Sequence, residues 1–280
     1  ADRCGAGGGP GARGGPGAKG FGPAADGLWM RDPMSGLLKH VVQRAPFGDI
    51  NSAISLFDEY CEDNGLGMNL GVEKGDVIEA TVRDALERHD NDTEAFAVLE
   101  VGAHFGDGTL RVLRALQAPG APASKVKAGG PVPIVISLES NAGWASGCKA
   151  LAGQALGGAG GVRHVSLVAQ PAAIVTAAEA ALADLRARGS TPSFHLVLLD
   201  HEHGKYLRDL KGLLHKRLLA PGGIVHADNA GRDADVLKEY LAYVQGGGPF
   251  STRFEEIERP YPDLVAISTY EPAGEGAAEL

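Results

Sequence analysis

From residue 97 onward the chain alternates short apolar runs with helical stretches, and this rhythm narrows the choice of fold more than any other feature. Residues 97–101, 134–138, 164–168, 195–199 and 223–227 read as buried strands. Residues 109–116, 171–188, a stretch reaching Leu219 and residues 234–244 read as helices between them, with two terminal strands at 252–257 and 264–269. Strands separated by helices form βαβ units on a mainly parallel sheet. Right-handed crossovers then place helices on both faces, so the expected architecture is a doubly wound, Rossmann-like α/β sheet. Upstream, Ile50, Ile54, Phe57 and Cys61 mark a helix over 50–64, and Val77, Ile78, Thr81, Val82, Ala85 and Leu86 one over 72–88. Leu37, Leu38, Val41 and Val42 suggest a shorter helix before them.

The flanks are of another kind. The chain holds 41 glycines in 280 residues, about twice the usual ~7%. Eleven fall in residues 1–27, with Pro10, Pro16 and Pro23, and without a G-X-Y period. Such an arm cannot bury enough apolar surface to offset its ordering entropy, so it is expected to be flexible or ordered by a protein partner. The organisation that follows is an arm at 1–27, a linker with a short helix at 28–49, one domain at 50–272 and a tail at 273–280. Residues 118–133, rich in proline and glycine, read as a surface insertion in that domain.

Charge and composition exclude several classes. A net charge of −9 opposes nucleic acid or an anionic membrane as the main partner. No run of 18 apolar residues occurs, so no membrane-spanning helix is expected. Cys4, Cys61 and Cys148 lack CxxC spacing, which suggests neither a zinc ribbon nor a disulfide framework. The first residue is Ala1 and no apolar leader core follows it, so a processed precursor, soluble and cytoplasmic or organellar, is the expectation.

In open α/β sheets ligands bind beyond the carboxyl ends of the strands. After the first strand come Gly102, Gly106 and Gly108, which is not the dinucleotide spacing GxGxxG. That points to a smaller nucleoside-type cofactor, although a plain glycine-rich turn has the same pattern. Glu139 ends the second strand, where a carboxylate can accept bonds from ribose hydroxyls; the alternative is a solvated strand-end acid. The fourth strand runs into Asp200-His201-Glu202-His203 and the fifth into Asp228-Asn229. Two carboxylates and an amide oxygen at one sheet edge are hard donors of the kind that suits Mg²⁺.

Five short motifs then fall in a family order: 68–75 (MNLGVEKG), 99–103 (LEVGA), 198–201 (LLDH), 227–229 (ADN) and 241–244 (LAYV). Together they resemble the catechol O-methyltransferase family over roughly 50–269, leaving out the arm and the insertion. The resemblance implies a seven-stranded, S-adenosylmethionine-dependent methyltransferase that needs Mg²⁺ and acts on a catechol-like small molecule. It implies that Met68, Asn69 and Leu70 wall the methionine end of the cofactor. Glu100, Gly102, His104 and Gly108 would line the first loop, and Glu139 with Ser140 would hold the ribose. Gln170 would contact the adenine, His201 would lie near its ring, and Asp200 would border the cofactor. The implied metal ligands are Asp200, Asp228 and Asn229.

The acceptor half departs from the family pattern. His203 stands where the family has its lysine base, Glu202 and Leu66 replace tryptophans, and His104 replaces a tyrosine. The loop after Asn229 is shortened to Ala230-Gly231-Arg232. The family's second acid near the chain end has candidates in Glu255, Glu256 and Glu258, with Glu258 favoured. Histidine has the basicity to replace the lysine. A different class is also open: an inactive methyltransferase-fold subunit whose arm engages a partner. Asp200, His201 and His203 as ligands of a transition metal form a third reading.

Overall fold

The computed structural model describes residues 33–67, 69–89, 94–119, 131–158, 160–187, 193–259 and 261–272. The arm at 1–27, Met68, most of the insertion and the tail lie outside the described residues. The chain order is α1 (Pro33–Arg44), α2 (Ile50–Asp63), α3 (Gly71–Arg88), β1 (Ala97–Val101), α4 (Asp107–Gln117), β2 (Ile134–Glu139), α5 (Ala142–Leu156) and β3 (Arg163–Val168). It continues through α6 (Ile174–Ala187), β4 (Phe194–Leu199), α7 (Tyr206–His215), β5 (Leu219–Ala227), α8 (Ala234–Gln245), β6 (Phe250–Ile257) and β7 (Asp263–Tyr270).

The seven strands form one sheet in the order β3-β2-β1-β4-β5-β7-β6. β1 to β5 pair in parallel, whereas β7 runs antiparallel to both β5 and β6. Side-chain alternation along each strand divides the core in two. Val98, Val135, Leu196 and Ile224 face α1 to α5, while Leu99, Ile136, Val197 and Val225 face α6, α7 and α8. The doubly wound expectation therefore holds.

Three details differ from the sequence reading. The segment 28–49 is expected to be a linker with a short helix; the helix is there as α1, but it places Leu37 and Val41 at 0% exposure in the same core as α2. Each such side chain contributes about 1.5–3 kcal/mol. Helix α5 has no counterpart in the sequence reading, because its core face, Ala145, Gly147, Cys148, Leu151, Ala152 and Ala155, is mostly small residues that make a weak apolar pattern. Finally, β5 begins at Leu219, where the reading places the end of a helix. Pro221, Gly222 and Gly223 mimic a turn there, and the pairing with β4 shifts register at that point.

Helix α5 starts just after Glu139 and is capped by Asn141, whose Oδ1 accepts from the amides of Gly143 at 2.8 Å and Trp144 at 3.1 Å. Asn141→Ala is expected to cost about 1 kcal/mol in urea denaturation; no change would mean that water replaces the cap.

Candidate active site

A cavity of about 660 Å³ opens at the carboxyl ends of β1, β2, β4 and β5. The loop after β1 forms its floor. Gly102, His104 and Gly106 all have positive φ, at 93°, 48° and 99°. At Gly102 this conformation brings the backbone so close to β4's exit that a Cβ would lie 2.6 Å from the Asp200 carbonyl carbon and 2.8 Å from the His201 nitrogen. Only glycine fits. His104 turns its amide toward β2 and donates to Glu139 Oε2 at 2.9 Å. Glu139 Oε1 accepts from the Asn141 amide at 2.8 Å and from Ser140 Oγ at 3.2 Å. This carboxylate is thus locked at the cavity wall by the backbone on both sides.

Beyond Glu139, Trp144, Ala169, Pro171 and Ile174 make an apolar slot. Gln170 does not line it; its side chain donates to the Ser140 carbonyl at 3.0 Å and braces the slot from outside. His201 lines the opposite side. Its Nε2 bonds the carboxylate of Asp209 at 2.8 Å, so Nε2 carries a proton, and in the neutral ring Nδ1 is an acceptor. That Nδ1 is buried and finds no partner among the described residues. A cavity with a fixed carboxylate, an apolar slot and an orphaned ring acceptor fits an adenosine-bearing cofactor.

Glu100 and Gly108 sit behind the main cavity, where they line a smaller one. Glu100 is 4% exposed and accepts from Ser137 Oγ at 2.6 Å and from Thr109 Oγ1. Burial pushes its carboxyl up, against the pull of those two hydroxyls. Asn69 and Leu70 line the main cavity, and the Leu70 amide donates to Asp107 Oδ2 at 2.9 Å. Asp107 is held in turn by the buried Arg111, which also makes a two-pronged pair with Asp58 at 2.6 and 2.8 Å. The wall at Leu70 is therefore fixed to both α2 and α4.

The acids lie at the deep end. Leu199 and Ala227 are register partners, so Asp200 and Asp228 leave adjacent strands at one level, and the Asp228 amide donates to the Leu199 carbonyl at 3.1 Å. Loss of solvation raises the Asp200 carboxyl, and the neighbouring Asp228 charge raises it further. Burial raises Asp228 as well, opposed by Lys74. Asn229 stands at φ 60° beside them. Among the described residues no group of three or more His, Cys, Asp or Glu side chains is arranged to hold a metal ion. This is against the reading of Asp200, His201 and His203 as transition-metal ligands. The Mg²⁺ set is of another composition, because its third donor is an amide oxygen.

That set already holds a cation. Lys74 of α3 places Nζ 2.9 Å from Asp228, 3.1 Å from Asn229 Oδ1 and 2.8 Å from Asp263. Two of the three expected ligands thus converge on the Lys74 ammonium; their oxygens are hard donors of the kind that suits a divalent ion, which would have to displace Lys74 to reach them. The sequence reading does not single out Lys74, although it lies inside the quoted 68–75 motif, nor Asp263. Burial alone would raise Asp263, but Lys74 and the amides of Arg232 and Leu264 hold its carboxyl below the ordinary value. Glu258 is elsewhere: it does not line the cavity, and its amide donates to Glu73 on the exterior. Asp263, at the start of β7, is the acid that the chain end delivers to the cavity.

His203 borders the same end. Its Nε2 lies 3.1 Å from Asn229 Nδ2 and its Nδ1 3.2 Å from Asp233 Oδ2. Tyr206 stacks on His201 and meets His203 edge-on; its buried hydroxyl finds no partner among the described residues.

A parallel sheet closed by an antiparallel β7, with a glycine loop after β1 and a locked acid after β2, defines an S-adenosylmethionine-dependent methyltransferase. No protein-family model matches the chain. It is 30% identical over 238 residues to catechol O-methyltransferase B of Danio rerio, covering 85% of this chain and 78% of that protein. It is also 30% identical to a probable O-methyltransferase of Mycobacterium tuberculosis, covering 82% of this chain and 89% of that one. The chain belongs to the catechol O-methyltransferase family, whose members are S-adenosylmethionine-dependent O-methyltransferases. Among solved structures, the fold is shared with the O-methyltransferase TomG of Streptomyces achromogenes, at a TM-score of 0.52 and 15% identity over 87% of this chain and 92% of that one. An O-methyltransferase of Bacillus cereus shares it at a TM-score of 0.51 and 15% identity, over 87% and 93%. Among the described residues no helix is long and apolar enough to cross a membrane.

Proposed function

We propose that the protein transfers the methyl group of S-adenosylmethionine to one hydroxyl of a catechol-like small molecule in a Mg²⁺-dependent reaction. The observation that carries this reading is the convergence of the Asp228 and Asn229 oxygens at one point, now taken by the Lys74 ammonium, with Asp200 level with them and His203 bonded to Asn229. Bound there, a divalent ion would lower the pKa of an acceptor hydroxyl and fix its orientation.

The rest of the task falls to the chain. Glu139 takes the ribose hydroxyls, and the slot of Trp144, Ala169, Pro171 and Ile174 takes the adenine. The His201 Nδ1 acceptor receives a donor from the cofactor's ring. His203, half-buried at the acceptor end, receives the hydroxyl proton, a role worth about 10²–10⁴ in rate. Holding donor and acceptor in line contributes up to ~7–11 kcal/mol. Little covalent chemistry is left to the side chains.

Protein dialysed against EDTA should bind S-adenosylmethionine but methylate catechol only after Mg²⁺ is restored. Metal-independent methylation would refute the metal role. Cofactor binding with no methylation of any catechol would instead favour the inactive-subunit alternative. Glu139→Gln is expected to weaken S-adenosylmethionine at least tenfold in isothermal titration, because an amide group must turn a donor toward the amide of His104 or of Asn141. Unchanged affinity would remove Glu139 from the cofactor site.

A further inference from the structure

We propose that Asp233 is a positioning residue that holds His203 in the one ring orientation and tautomer able to accept a proton from the methyl acceptor. The proposal rests on the reading of His203 as the base.

For a neutral ring the contacts of His203 fit one proton assignment. An ammonium only donates, so the 3.1 Å contact from Lys74 fixes Oδ1 of Asn229 on the lysine side. Nδ2 must then face the other way, where it lies 3.1 Å from His203 Nε2. An amide nitrogen also only donates, so Nε2 is the ring's acceptor. The single proton of the neutral ring therefore sits on Nδ1, 3.2 Å from the Asp233 carboxylate. Lys74 of α3 and the turn that carries Asn229 and Asp233 agree on one tautomer.

The placement of Asp233 is the second observation. It stands at the N-cap of α8, with its carbonyl accepting from the amides of Val236 and Leu237. An aspartate there ordinarily spends its carboxylate on the amides of the first turn. Asp233 makes no such side-chain cap and turns its carboxylate to the imidazole instead. The ring is then held on three sides, by Asp233, by Asn229 and by the edge of Tyr206 at a centroid distance of 5.5 Å. An entering hydroxyl has only to replace the Asn229 amide as donor to Nε2.

A lysine in this position would have no tautomer to set. The full chain, with S-adenosylmethionine, Mg²⁺ and catechol as the probe acceptor, is therefore compared in two backgrounds. In the parent, Asp233→Ala is expected to lower kcat 10- to 100-fold and to change KM for catechol less than twofold. In the His203→Lys background the same change is expected to move kcat less than threefold. An equal loss in both backgrounds, or no loss in the parent, would overturn the proposal. Should the alanine variant lose cofactor binding, Asp233→Asn takes its place in both backgrounds. Ring ¹⁵N resonances give a readout that needs no turnover: the parent should show His203 as the Nδ1–H tautomer, and the variant a mixture. If the parent methylates no catechol, the reading of His203 as base fails while the ring spectra still decide the role of Asp233. Identical spectra in parent and variant would refute it.

Discussion

Lys74→Met is expected to cost about 3–5 kcal/mol, the usual result of removing one partner from a buried ionic cluster. The Lys74 side chain is 13% exposed, and its partners Asp228 and Asp263 are 6% and 2% exposed. Methionine fills nearly the same volume, so the loss would come from charge and not from a void. Two carboxylates and the Asn229 oxygen would be left facing one another without a counter-charge, with Asp200 close enough to raise the penalty. Urea denaturation without divalent ions measures the loss; a change below 1 kcal/mol would mean that the acids rearrange to meet solvent. The variant should also be rescued by Mg²⁺ more than the parent, since the ion would then meet no resident ammonium. A ligand at 100 times its dissociation constant stabilises by ~2.7 kcal/mol. Equal Mg²⁺-induced rises in melting temperature would separate Lys74 from the metal site.

Gly102→Ala is the second large effect expected. The left-handed backbone at φ 93° already disfavours any side chain. The new methyl would also press on the Asp200 carbonyl group and the His201 amide, and both are backbone atoms that cannot swing aside. The loop after β1 must then lift from the end of β4. That movement would disturb the His104 amide bond to Glu139 and the strand exit that presents Asp200. We expect a loss of roughly 3 kcal/mol or more in stability and at least a hundredfold loss of S-adenosylmethionine affinity by isothermal titration. A variant that binds the cofactor normally would show that the loop can shift without cost.

Much of the scaffold is legible in the chain because its central strands β1, β2 and β4 are buried along their whole length and appear as apolar runs. Helix α5 is not, since mostly small residues fill its inner face and leave little periodicity to detect. Helix α1 is visible as an apolar patch, but its packing against α5 is not local. The site divides along the same line. Glu139, Asp200, Asp228 and Asn229 can be found because each follows a strand, and topology sends strand ends to one edge. Lys74 and Asp263 meet across 189 residues, and no short window contains that contact. Glu258 draws attention as part of an acidic cluster, yet the β6–β7 hairpin carries it outside and brings Asp263 in. Asp233 is silent for a different reason: in sequence it is an ordinary N-cap, and only its unused capping bond reveals another purpose.

The antiparallel seating of β7 between β5 and β6 bears on how the protein is made. Synthesis runs from the amino terminus, so β1 to β5 can pair while β7 is still inside the ribosome. Lys74 and Asp228 can meet then, but Asp263 cannot reach them until β7 has emerged and slid in beside β5. The cleft therefore first holds Lys74 and Asp228 without their third partner. Asp263 joins Lys74 and Asp228 only when the last strand closes, which makes completion of the fold and completion of the site a single event.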